Sequence, residues 1–119
     1  MIQVVDLSDK FGLFSAHWKP RIVAVLNESY VKLAKLKGEF IWHKHELEDE
    51  LFLVVKGSLI VRLRDGDVEV REGQLVVVPR GIEHMPVAGE EVHVVFIEPK
   101  GTVNTGDAES DRTVTAEWI

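Results

Sequence analysis

The chain has 119 residues, a length that suits one folded unit with its own core, and its 45% hydrophobic and 29% charged residues rule out wholesale disorder. A net charge of −6 argues against a nucleic-acid or anionic-membrane surface, since either needs an excess of lysine and arginine. There is no cysteine, which excludes disulfides and thiolate metal sites, so any metal must be held by nitrogen and oxygen.

In chain order, the opening "MIQVVDLSDKFG" lacks the basic stretch and apolar run of a secretory signal. Apolar runs such as "LFLVV" and "VVFI" are strand-sized rather than membrane-spanning, so the expectation is no membrane association and a cytoplasmic location. Residues 1–20 read as an N-terminal arm with one short helix over "KFGLFSA", capped by Ser8 or Asp9. "RIVAVLN" (21–27) and "SYVKLAKLKG" (29–38) are predicted strands joined near Asn27. "ELFLVV" is the next, starting at Glu50.

"LIVRLR" (59–64) alternates, with Leu59, Val61 and Leu63 facing inward and Arg62 and Arg64 outward. "DVEVR" (67–71) repeats the pattern with Val68 and Val70 inward, and "RDGD" between them suits a hairpin turn with positive φ at Asp65-Gly66. "REGQ" (71–74) marks a second tight turn before the strand "LVVV" (75–78), and "EVHVVFIEP" (91–99) is a strand stopped by Pro99. The tail, residues 100–119, reads as polar loop followed by a short edge strand in "TVTAEWI". The expectation is a single domain over residues 1–119 with its barrel core at about 21–99. Many short strands, tight turns and almost no helix predict an all-β sandwich or barrel.

The stretch "HKHELEDE" (43–50) carries the chemistry. On a strand, residues two apart share a face, so His43 and His45 point together with Ile41, while Phe40, Trp42 and Lys44 point away. Such a pair suits capture of a divalent ion, and Glu50, starting the next strand, can add an oxygen. From spacing alone, a solvated loop with two histidines remains equally open. Further on, in "PRGIEH" (79–84), Pro79 ends a strand, Gly81 permits a tight turn and His84 is carried back towards the barrel.

Residues 38–57, "GEFIWHKHELEDELFLVVKG", resemble the first cupin motif: glycine, His-x-His, a glutamate five positions later and a further glycine. Residues 73–84, "GQLVVVPRGIEH", resemble the second, and the short gap of residues 58–72 is similar to that of small single-domain cupins. Two positions depart from the pattern: the first glycine is one residue closer to His43, and Ala88 stands where an asparagine is frequent. The resemblance implies a jelly-roll barrel, a double-stranded β-helix, with His43, His45, Glu50 and His84 as ligands of one divalent ion per chain. Zinc, iron, manganese, nickel or cobalt would all suit that donor set.

It further implies a small-molecule ligand in the barrel, lined by Ile41, Leu59, Val61 and Phe96, and a homodimer, to which Phe40 and Trp42 could contribute. A metal-dependent enzyme of isomerase or oxygenase type acting on a small polar substrate heads the functional readings, and the branch described as mannose-6-phosphate-isomerase-like is the one most similar. A non-catalytic binding module and a purely structural metal are the alternatives. His93 is expected on an outer strand face, His17 has no assigned role, and Glu46, Glu48 and Asp49 form a solvated rim.

Overall fold

Turn chemistry sets the strand register in the computed structural model, which describes residues 2–119. Strands β1 (Arg21–Leu26) and β2 (Ser29–Glu39) fold back at Asn27, whose φ of 52° is a left-handed conformation that asparagine tolerates. Gly57, at φ 91°, links β3 (Glu50–Lys56) to β4 (Ser58–Leu63). β4 pairs with β5 (Gly66–Arg71) across the expected hairpin, although Leu63 lies opposite Gly66, so the turn centres on Arg64 and Asp65. The second tight turn is also present: the Gln74 amide donates to the Arg71 carbonyl at 2.8 Å and leads into β6 (Leu75–Val78).

β7 (His84–Pro99) organises the rest. It pairs antiparallel with β2 over most of its length, with β4 through residues 84–87 and with β3 through residues 93–97. One strand thus passes from one part of the sheet to another, and the sheet rolls into a jelly-roll barrel. The expected start at residue 91 is corrected to His84, because His84–Val87 complete a ladder with β4 in spite of Pro86. β8 (Glu117–Trp118) adds the expected short edge strand, parallel to β1. No helix among the described residues is long and apolar enough to cross a membrane.

Both faces of the central strands are covered, which explains their unbroken apolar runs. Inside the barrel, Leu36, Val54, Leu59, Val61, Val92 and Val94 are buried together. On the opposite face, Leu33 and Val95 pack with Val23, Phe11 and Phe14 of the N-terminal arm. The helix responsible, α1 (Leu7–Phe11), is shorter and earlier than expected: the Asp6 side chain caps it by accepting from the Asp9 amide at 3.0 Å, and Gly12 ends it. His93 lies on this outer side of β7, stacked on Phe11 at 4.6 Å.

Three expectations about facing residues need correction. Val70 is buried, but Val68, two residues nearer the hairpin turn on edge strand β5, is 38% exposed. Phe40 does not turn away from His43: β2 ends at Glu39, strand alternation stops there, and Phe40 is buried with its ring 5.4 Å from that of His43. Phe40 and Trp42 also have partners within the chain, Phe40 stacking on Trp18 and Trp42 lying 3.8 Å beneath the Arg64 guanidinium, which removes the reason for assigning them to a subunit contact.

Candidate metal centre

His43 and His45 lie in an extended segment between β2 and β3, outside the main ladders. What fixes them is a two-way backbone bridge to the start of β7. The His43 amide donates to the His84 carbonyl at 3.0 Å, and the His84 amide donates to the His43 carbonyl at 2.9 Å. The turn before His84, with Gly81 at φ 80°, gives the Gly81 amide to the His45 carbonyl at 2.8 Å. Glu50 arrives as the first residue of β3.

The four side chains converge. One donor atom from each of His43, His45, Glu50 and His84 lies within 4.8 Å of the others, and the residues are 4%, 4%, 5% and 0% exposed. The two Glu50 oxygens approach His45 Nε2 and His84 Nε2, each at 3.5 Å. His43 Nδ1 lies 2.9 Å from the Ile41 carbonyl and His84 Nδ1 2.9 Å from the Ile82 carbonyl, so Nδ1 carries the hydrogen in both rings and Nε2 keeps its lone pair. Nε2 of His45 and of His84 are buried without any hydrogen-bond partner. Buried polar atoms are nearly always satisfied, and a cation among these nitrogens would satisfy them. The four residues could therefore hold a metal ion.

The electrostatics favour a neutral His43 beside the Glu50 carboxylate. Burial, helped by the neighbouring His84, lowers the His43 pKa to about 4. Burial also pulls His45 down, but Glu50 beside it, with the charges of Glu48 and Asp107, outweighs this and leaves its pKa raised. Glu50 would be pushed up by burial, yet the neighbouring Glu98 carboxyl and the His45 and His84 rings hold it well below the carboxylate range.

Glu98 and Lys32 went unrecognised in the sequence. Both are 4% exposed, and the Lys32 ammonium donates to Glu98 Oε1 at 2.8 Å. Burial and the Glu50 charge push Glu98 well above the ordinary carboxyl range, so the proton of this carboxyl pair belongs to Glu98. The tail contributes as well. The Lys44 amide donates to Asp107 Oδ1 at 2.9 Å and the Asp107 amide to the Lys44 carbonyl at 3.0 Å, clamping the residue between the two histidines.

A cavity of about 40 Å³ opens beside the cluster, lined by His43, Glu50, Glu98, Asn104 and aromatic side chains. Of the four expected lining residues Phe96 is present; Leu59 and Val61 are packed into the core, and Ile41 is half-buried outside the wall. Glu46 and Asp49 are exposed, as expected of a rim, and Glu48 is half-buried. His17, which had no assigned role, meets Glu91 at 2.7 Å, and Glu91 also reaches His93 at 3.0 Å.

A jelly-roll barrel holding a buried three-histidine, one-glutamate cluster defines the class. Residues 29–99, more than half of the chain, match the Cupin_2 cupin-domain model, and the chain belongs to that family. A cupin-2 domain protein of Shewanella frigidimarina is similar over 81% of this chain and 94% of its own, at 44% identity and a TM-score of 0.80. A protein of Neisseria meningitidis is similar over 82% of this chain and 99% of its own, at 28% identity and a TM-score of 0.75. Acireductone dioxygenase of Sulfurihydrogenibium is 33% identical over 86 residues, 69% of this chain and 45% of the relative. The chain spans about half the length of the curated relatives that it matches.

Three outcomes test this geometry. In Gly106→Ala the new Cβ would lie 2.3 Å from the Lys44 carbonyl oxygen, at a φ of 57°. The variant should lose more than about 1 kcal/mol in urea unfolding and bind metal more weakly than wild type. Glu98→Leu leaves the buried Lys32 ammonium unpaired and should cost about 3–5 kcal/mol. Lys32→Met should cost less, because Glu98 can remain protonated; equal losses would contradict the proton assignment. Finally, unfolding exposes His43, which then takes up protons below its ordinary pKa of 6.5 while the folded form resists down to about 4. Metal-free protein should therefore lose up to about 3 kcal/mol from this group between pH 6.5 and 4, a loss absent in His43→Asn.

Proposed function

We propose that His43, His45, Glu50 and His84 bind one divalent metal ion and that the chain is a metal-dependent oxygenase acting on a small organic molecule in the adjacent cavity. The observation that carries this reading is the convergence of four buried nitrogen and oxygen donors within 4.8 Å, with the Nε2 atoms of His45 and His84 left unpartnered. When bound by three imidazoles and one carboxylate, a divalent ion supplies a Lewis-acidic centre with open coordination positions.

The protein's own contribution is positional. The Ile41 and Ile82 carbonyls fix the tautomers of His43 and His84. Phe52, Phe96 and Phe40 exclude bulk water from one side of the cluster. Similarity to acireductone dioxygenase supports oxygenase over isomerase chemistry.

Elemental analysis of untagged protein should give about one divalent ion per chain. His43→Ala/His45→Ala should contain none yet keep a β-rich circular dichroism spectrum; full occupancy in that variant would put the metal elsewhere. Retention should also fall as the pH drops below about 6, since imidazoles coordinate only when neutral, with His45 protonating before His43. Unchanged metal content at pH 4.5 contradicts imidazole ligation. In an oxygen electrode the metal-loaded wild type should consume dioxygen with an added enediol or diphenol, and the double variant should stay at background. A wild type at background with both classes of substrate reduces the chain to a binding module.

A further inference from the structure

The cavity beside the cluster is chemically one-sided. Trp18 and Phe40 stack with centroids 4.8 Å apart and planes 17° from parallel, and Phe52 meets Phe96 edge-on, also at 4.8 Å. Apart from His43, its polar lining is Glu50, Glu98 and Asn104. The Asn104 amide is already engaged: Nδ2 donates to the Arg112 carbonyl and Oδ1 accepts from the Val114 amide, both at 3.0 Å. Carboxyl oxygens are what remains for a ligand.

Among the described residues no lysine or arginine lines this cavity. The two nearby cations are occupied: Lys32 holds Glu98 at 2.8 Å, while Arg112 donates to the Glu39 carbonyl at 3.0 Å and lies over the Phe40 ring at 4.8 Å. An anionic group would therefore be desolvated against carboxyls with no free counter-charge in the wall, which is costly. A bound divalent ion would add positive charge only at the cluster, where Glu50 is one of the four donors. The cavity of about 40 Å³ has room for about three waters, so its occupant must be small.

We propose that this cavity selects a small, flat, uncharged molecule bearing a hydroxyl group, and turns away phosphate esters and carboxylates. The flat faces of Trp18, Phe40, Phe52 and Phe96 receive the ring, and a carboxyl oxygen accepts from the hydroxyl. The inference rests on the metal-dependent reading of the same site but is tested separately from it.

Zinc-loaded and metal-free protein would be titrated calorimetrically with phenol, phenyl phosphate and cyclohexanol, with zinc measured in every sample. Phenol should bind at least tenfold more tightly than phenyl phosphate, with cyclohexanol weaker than phenol. Glu98→Leu removes this carboxyl and leaves the Lys32 ammonium without its acceptor, and should narrow the phenol preference at least threefold. Should that variant not fold, Lys32→Met/Glu98→Leu, which removes the carboxyl together with its buried ammonium, should narrow it as well. Phenyl phosphate binding as tightly as phenol, no binding of phenol, or a preference unchanged in the variants overturns the proposal. Failure of zinc to bind at all sinks the metal-dependent reading instead, and the metal-free titrations still decide the selectivity of the wall.

Discussion

Two backbone hydrogen bonds exchanged between His43 and His84 carry the rest of the site. They join segments that are far apart in the chain, and a third bond, from the Gly81 amide to the His45 carbonyl, extends the zipper by one step. Each of the two bridged histidines then leans on the carbonyl two residues before it, at 2.9 Å, so the same local device orients both rings. Backbone geometry thus fixes where the rings start, and neighbouring carbonyls fix which nitrogen faces the centre. The side chains need no contact with one another to converge.

That convergence is electrostatically expensive, and the surrounding charges show how the fold offsets it. A buried Glu50 carboxylate beside three imidazoles lacks direct contact with a lysine or arginine. Glu98, gripped by Lys32 on one oxygen, is kept protonated by burial and by the Glu50 charge. A neutral Glu98 removes one of two like charges from the same buried neighbourhood.

The cluster was legible through the resemblance to the two cupin motifs, which joined His84 to His43, His45 and Glu50 where spacing alone left a solvated loop equally open. Period-two alternation placed Leu59, Val61, Val70 and the outward arginines correctly. The same rule reaches Glu98 by stepping two residues at a time from Val92 through Val94 and Phe96, and Lys32 by stepping back from Leu36 and Ala34. Both were passed over because charged residues near strand ends ordinarily face water. Phe40 failed for the opposite reason: alternation was carried past Glu39, where no ladder enforces it. Asn104 and Asp107 had no periodic signal at all, since loop contacts depend on the whole tail.

Those unreadable segments are the ones that finish the cavity. Trp18 comes from the N-terminal arm, at a left-handed φ of 62° held by its indole N–H on the Lys37 carbonyl at 2.8 Å, and Asn104 comes from the tail. Arg112 binds the two together, its guanidinium over both Trp18 and Phe40. A non-glycine residue in that conformation costs about 1–3 kcal/mol, and it persists only where the surroundings over-determine it. Strands supply Glu50 and His84 and the segment between β2 and β3 supplies His43 and His45, while the arm and the tail shape what can approach them. The tail serves both ends, since Asn104 lines the cavity while Asp107 clamps Lys44 between the two histidines, so a change there reaches the ligand and the donors together.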